Sequence, residues 1–99
     1  METGLSKRDV DTIVNIFRRY PEINLVHLFG SRAIGNYKNG SDIDLAIMNS
    51  GVKETIIKKI KSELEESSIP YFVDLINYPA LEHQPLRTHI DEFGVVFYK

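Results

Sequence analysis

Residues 27–47, HLFGSRAIGNYKNGSDIDLAI, contain the pattern that most restricts the fold. A short apolar run ends at Gly30-Ser31, a loop rich in glycine and asparagine follows, and a second apolar run opens with Asp42 and Asp44. Short apolar runs bounded by turn residues are typical of buried strands. The stretch therefore predicts two strands joined by a loop, with two carboxylates on a strand that otherwise resembles a core strand.

The rest of the chain alternates between helical and strand patterns. Helical spacing of apolar residues predicts amphipathic helices over about 7–19 and over 52–66. The remaining predicted elements are strands over 24–29, 42–48, 71–77 and 95–98, a helical turn over 31–34, and a helix over about 80–91 that is interrupted near Pro85. This order predicts an α+β fold, in which helices pack on one small mixed β-sheet of about four strands.

Length and composition restrict the class of protein. At 99 residues the chain is predicted to form a single domain, residues 1–99, with an ordinary apolar fraction of 42%. A net charge of −2 without a polybasic block gives no general attraction to nucleic acid. The absence of cysteine excludes disulfides, thiolate metal sites and a cysteine nucleophile. No apolar run has the roughly 18 residues that a membrane span needs, so a cytoplasmic protein is expected.

Asp42 and Asp44 are the first candidate site residues. Two positions apart on a strand, their side chains leave the same face with roots about 7 Å apart. Ionised carboxylates this close repel each other, and an oxygen-only ligand set favours Mg²⁺ or Mn²⁺ as the counter-charge. If the strand of Asp74 is a neighbour, Asp74 completes a three-carboxylate cluster of the kind that holds two ions about 3.5–4 Å apart for phosphoryl or nucleotidyl transfer. Asp74 would then also be the general base.

Gly30 and Ser31 are predicted to form the other half of the site. A strand that turns directly into a helical segment at Gly-Ser presents backbone N–H groups and a hydroxyl to a phosphate. Arg32 is a candidate for a charge-assisted contact to the same anion, although a surface arginine beside a loop is equally consistent with the pattern. The three histidines, His27, His83 and His89, are interpreted as packing or exposed residues.

These residues together resemble the polymerase β-like nucleotidyltransferase superfamily. The resemblance lies in Gly30-Ser31, the spacing to Asp42-Ile43-Asp44, and the later strand aspartate Asp74. The phrases FGSRAIGN and SDIDLAI and the chain length are similar to the minimal nucleotidyltransferases, the antitoxin halves of pairs with HEPN-domain RNase toxins.

The resemblance implies a polymerase β-like palm core and transfer of AMP from ATP, with Mg²⁺, to a tyrosine hydroxyl of the toxin. It implies a hetero-oligomer with that partner. Neither nucleic acid nor a membrane is expected as a direct partner, because of the charge and the short apolar runs noted above. By position, Gly30 and Ser31 would hold the triphosphate, Asp42 and Asp44 the metal ions, and Asp74 would be the third carboxylate and candidate base.

Two alternatives stay open at the level of sequence. Ile34 stands where many relatives have a second arginine, which weakens the expected grip on phosphate or partner and leaves room for an antitoxin that acts by binding alone. A transferase acting on a small-molecule acceptor is the other alternative. Exposed apolar side chains near the site, with Tyr37, Tyr71 and Phe97 as candidates, are expected to dock a partner chain.

Overall fold

The computed structural model describes residues 2–99 and has the predicted α+β architecture. The helices are α1 (Lys7–Arg18), α2 (Ser31–Ile34), α3 (Glu54–Glu66) and α4 (Gln84–Phe93), with a 3₁₀ turn at Tyr78–Ala80. The strands are β1 (Val26–Phe29), β2 (Ile43–Ile47), β3 (Val73–Asn77) and β4 (Val95–Tyr98). Within residues 2–99, none of the helices combines the length and apolar character needed to cross a bilayer.

The four strands form one mixed sheet in the order β3-β2-β1-β4. β1 is antiparallel to both β2 and β4, whereas β2 and β3 are parallel. Parallel neighbours need a crossover connection, and α3 supplies it between β2 and β3. The strands that carry Asp44 and Asp74 are neighbours, which meets the condition for a three-carboxylate cluster, and the register pairs these two residues directly.

One face of the sheet, here called the closed face, is covered by α1 and α3. On β2 it receives Ile43, Leu45 and Ile47, all 0% exposed. The helices contribute their own apolar stripes to the same core, which contains Ile13, Ile16 and Phe17 of α1 and Ile57, Ile60 and Leu64 of α3. Burial of this continuous apolar layer is the main source of stability for the domain.

The opposite face, here called the open face, carries the alternate residues of the same strands. It is covered in part by α4, which contributes Ile90 to a small cluster with Phe29 and Ala46. Asp44 lies between Ile43 and Leu45 in sequence, so its side chain leaves the sheet on this second face. Strand alternation therefore explains how an aspartate fits into a strand built for a core.

The predicted helix boundaries hold at α1 and need one correction at α4. The hydroxyl of Ser6 caps α1 by accepting from the N–H of Asp9. The predicted interruption near Pro85 is wrong, because Pro85 lies in the first turn of α4, where its missing N–H is not needed. The segment before α4 instead contains the separate 3₁₀ turn.

Candidate active site

Asp44 and Asp74 face each other across the parallel pair β2 and β3. The register makes them direct partners on strands whose spacing is about 4.8 Å, so both side chains leave the open face side by side. Both residues are half-buried, whereas Asp42 is exposed and lies just before β2. The sheet thus brings the three predicted carboxylates to one end of the open face.

The charge of Asp44 is disfavoured by its surroundings. Burial raises the pKa of Asp44, and the neighbouring carboxylates of Asp74 and Asp42 raise it further. His89 and Arg32 lower it by smaller amounts. A cation bound beside Asp44 would oppose both causes of the raised pKa, since it would replace lost solvation and offset the repulsion.

The carboxylates fit Mg²⁺ by their chemistry, but their side chains do not yet surround one point. Among residues 2–99, no group of three His, Cys, Asp or Glu side chains is arranged so that it could hold a metal ion as it stands. Carboxylate oxygens are the ligands that Mg²⁺ prefers, and an aspartate side chain reorients by rotation about two bonds. The backbone register is in place, and ion binding would require the three side chains to turn toward each other.

Gly30 sits directly against Asp44. Its φ of 77° and ψ of −157° lie in a region that is essentially restricted to glycine. A Cβ atom at this position would lie 2.3 Å from Oδ2 of Asp44, far inside any permitted contact. The backbone angles therefore strongly favour glycine, and any larger residue at this position would displace the carboxylate of Asp44.

Ser31 follows immediately as the first residue of α2. Its carbonyl accepts from the N–H groups of Gly35 and Asn36, which closes the single helical turn. The first N–H groups of a helical turn have no partner within the turn. The loop thus places the Ser31 hydroxyl and backbone beside Gly30, at the same end of the sheet as Asp44.

His89 belongs to this site, although sequence reasoning did not find it. Its Nε2 atom accepts from the N–H of Gly30 at 3.0 Å, across a sequence separation of 59 residues. No local pattern indicates this contact, because it depends on how α4 packs over β1. The interpretation of His89 as a packing or exposed residue is therefore incomplete.

Arg32 is buried beneath the site, with an exposed fraction of 2%. Its Nε and one terminal nitrogen donate to the carbonyl of Ser41 at 3.2 and 2.8 Å, and the other terminal nitrogen donates to the carbonyl of Thr3 at 3.0 Å. The rings of Tyr37 and Tyr71 lie 5.3 and 4.5 Å from the guanidinium carbon. Arg32 thereby anchors the loop that leads into Asp42, and the predicted phosphate contact would require it to release these partners.

The exposed apolar surface differs from the one expected for partner docking. Tyr37 and Tyr71 are only partly exposed because they pack against Arg32. Phe72, just before β3, is 67% exposed and Ile34 is 46% exposed. A groove of about 280 Å³ runs along the outer edge of the sheet, between α3 and β3, and Asp74 is among its lining residues.

A comparison with protein families identifies the fold and the type of domain. The model of the family described as "Polymerase beta, Nucleotidyltransferase" matches residues 11–99. A search of the curated proteins found no match to this sequence.

The solved structures that resemble this fold include several toxin–antitoxin complexes. A chain of a toxin–antitoxin complex with AMP-PNP superimposes with a TM-score of 0.73 and 23% identity, covering 90% of this chain and 72% of the other. A chain from the complex of a tri-AMPylated Shewanella oneidensis HEPN toxin with an MNT antitoxin superimposes with a TM-score of 0.69 and 20% identity. The match covers 95% of this chain and 72% of the other. A chain of the MntA–HepT complex superimposes with a TM-score of 0.61 and 20% identity, and the match covers 94% of this chain and 72% of the other. At these identities the likeness establishes the fold.

Proposed function

Because the chain belongs to the polymerase beta nucleotidyltransferase family, we propose that it transfers AMP from ATP, with Mg²⁺, to a tyrosine hydroxyl of a HEPN-domain RNase toxin and so acts as its antitoxin. The observation that carries the proposal is the register of Asp44 with Asp74, beside Asp42 and against Gly30. The family match supports nucleotidyl transfer. The likeness to a complex that contains a tri-AMPylated toxin supports the choice of acceptor.

Asp42, Asp44 and Asp74 would hold the metal ions. Mg²⁺ bound there would supply electrostatic stabilisation for the attacking and leaving oxygens of the transfer. The raised pKa of Asp44 supports this assignment, because a partly buried carboxylate beside two others is stabilised by a cation. Asp42, being exposed, can turn toward the site with little disturbance of the core.

Gly30 and Ser31 would bind the triphosphate. The absence of a side chain at Gly30 keeps the loop close to Asp44, so phosphates bound at the loop would also reach the carboxylate end of the sheet. The Ser31 hydroxyl and the backbone N–H groups of the turn would donate to phosphate oxygens. Arg32 would shape the site through Ser41, and a direct contact of Arg32 with phosphate remains a prediction.

Asp74 would act as the general base for the acceptor. In the proposed step the acceptor oxygen attacks the α-phosphorus of ATP, the bond to the bridging oxygen breaks, and pyrophosphate leaves. The hydroxyl proton passes to the carboxylate of Asp74. Asp74 lies on the edge strand β3 and its side chain leaves the open face, so a side chain of a partner can approach its carboxylate from solvent at that edge of the sheet.

The test is the mass of the neighbouring gene's product after incubation with the chain, ATP and Mg²⁺. We expect a mass increase of one or more adenylyl groups on the partner, which is absent with EDTA or with Asp42→Ala. Asp11→Asn is the matched control, because Asp11 is exposed on α1 and, within residues 2–99, forms an ion pair only with Lys7. An unchanged mass together with neutralisation of the toxin by Asp42→Ala would contradict the proposed transfer and identify an antitoxin that acts by binding.

A further inference from the structure

Among residues 2–99, the side chain of His89 makes one hydrogen bond, and its partner is Gly30 in the Gly30-Ser31 loop. The Nε2 atom accepts from the Gly30 N–H at 3.0 Å. A neutral imidazole that accepts at Nε2 carries its proton on Nδ1, so the contact selects one tautomer. The bond joins the middle of α4 to the end of β1, two elements that are distant in sequence.

The ring of His89 is held in place by aromatic packing. It lies edge-on to Phe29, with ring centroids 6.1 Å apart, and is tilted against Phe93 at 5.4 Å. Phe29 is buried at the end of β1, immediately before Gly30. The imidazole therefore approaches the Gly30 N–H in a fixed orientation.

Gly30 is confined between two groups that act from different directions. Asp44 occupies the space where a Cβ would stand, at 2.3 Å from Oδ2, and His89 accepts from the N–H. Few other residue types can adopt the backbone angles of Gly30, and glycine loses much conformational freedom when its angles are fixed. A side-chain acceptor on the N–H is a direct means of holding this conformation.

We propose that His89 is a positioning residue for nucleotide binding, which holds the Gly30 N–H through Nε2 and so keeps the Gly30-Ser31 loop against Asp44. The inference rests on the proposed function, because the loop is taken to bind the triphosphate. It also implies that Gly30 contributes no N–H to the phosphates, so the donors at the loop come from the Ser31 hydroxyl and the first N–H groups of α2, because the later N–H groups of the turn donate to the carbonyls of Gly30 and Ser31. The alternative is that the ring matters only for packing with Phe29 and Phe93.

Two substitutions separate these roles. His89→Gln keeps a hydrogen-bond acceptor near the Nε2 position, whereas His89→Phe keeps an aromatic ring and removes the acceptor. His83→Gln is the control, because His83 is exposed and precedes the first residue of the same helix. Thermal melting of all variants checks that each is folded before binding is measured.

The first readout is hydrogen exchange of the Gly30 amide in the chain without nucleotide. We expect exchange about fivefold faster in His89→Phe, since one net hydrogen bond corresponds to about 1 kcal/mol and its loss frees the amide directly. His89→Gln and His83→Gln should stay within about threefold of wild type. Unchanged exchange at Gly30 in His89→Phe would overturn the proposal.

The second readout is the Kd for ATP with Mg²⁺. A loss of about 1 kcal/mol predicts a Kd about fivefold higher in His89→Phe, with recovery in His89→Gln. Wild-type affinity in His89→Phe, with weakening only in His89→Gln, would overturn the proposal in favour of a packing role. If wild type binds no ATP, the proposed nucleotide site fails, and Gly30 exchange alone then decides whether His89 fixes the loop.

Discussion

The two faces of the sheet use the same strands for different purposes. On β2, Ile43 and Leu45 are fully buried in the closed face under α1 and α3. Asp44, between them, lies on the open face, where α4 leaves the end near Gly30 accessible and burial disfavours its charge. The comparison indicates that the closed face stabilises the domain. The open face holds the carboxylates in register at some cost in stability.

The largest expected effect separates activity from folding at Asp44. Asp44→Asn should lower the rate of AMP transfer by about 1,000-fold, equivalent to about 4 kcal/mol, because a neutral amide is a poor ligand for a divalent cation. Its far-ultraviolet circular dichroism should match wild type. The rate is measured as pyrophosphate release with the partner present, and a variant that retains more than a tenth of the wild-type rate would contradict the assignment.

A substitution on the other side of the same strand should show the reverse pattern. Leu45→Ala removes a side chain that is 0% exposed, and we expect a loss of about 3 kcal/mol in the free energy of unfolding. ATP affinity of the folded fraction should be unchanged. Urea denaturation measures the loss, and Val96→Ala is the control, because Val96 is 54% exposed and should change stability by less than about 1 kcal/mol. Equal losses of unfolding free energy in Leu45→Ala and Val96→Ala would contradict the claim that the closed face stabilises the domain.

Much of this comparison follows from sequence periodicity. Alternation in DIDLAI predicts that Asp42 and Asp44 share one face, and the spacing of apolar residues predicts α1 and α3 with errors of two residues or fewer at their ends. These features depend on local patterns, which the sequence contains directly.

Other parts of the site depend on contacts that local patterns do not contain. The bond between His89 and Gly30 and the anchoring of Arg32 by Ser41 and Thr3 arise from packing between distant segments. The local sequence around Arg32 is consistent with a surface arginine or a phosphate ligand. It does not indicate that the side chain is buried, because the burial depends on Tyr37, Tyr71 and the N-terminal segment together.

Two glycines with positive φ offer a matched pair for the loop. Gly35→Ala should destabilise the chain by about 1–2 kcal/mol, because its backbone is left-handed, and Gly30→Ala by about 2–3 kcal/mol, because its backbone angles are essentially restricted to glycine. Only at Gly30 would the new Cβ meet Asp44, whereas nothing lies within 4 Å at Gly35. Titration with ATP and Mg²⁺ should therefore show weaker binding in Gly30→Ala alone, and equal affinities would contradict a role for the contact with Asp44.

The smallest expected effect concerns stability without metal. The pKa of Asp44 is higher in the folded chain than in the unfolded chain, so the folded chain binds this proton more tightly. The contribution of Asp44 to the free energy of unfolding therefore falls as pH rises above the ordinary carboxyl pKa of about 3.9. Because Asp44 is only half-buried and solvent screens its charge, Asp44→Asn should melt only slightly higher than wild type at pH 7. The difference should disappear at acidic pH, and a variant that melts lower than wild type at pH 7 would contradict this sign.

The most direct test of the two-face account is a titration of the isotopically labelled chain with ATP and Mg²⁺, followed through its amide NMR spectrum. If the open face binds the nucleotide, the largest shifts should occur at Gly30, Ser31, Asp42, Asp44 and Asp74, and they should be absent in Asp44→Asn. Amides of α1 and of the outer surface of α3 should remain unchanged. Shifts centred on those helices, or an identical response in Asp44→Asn, would contradict the claim that the open face binds the nucleotide.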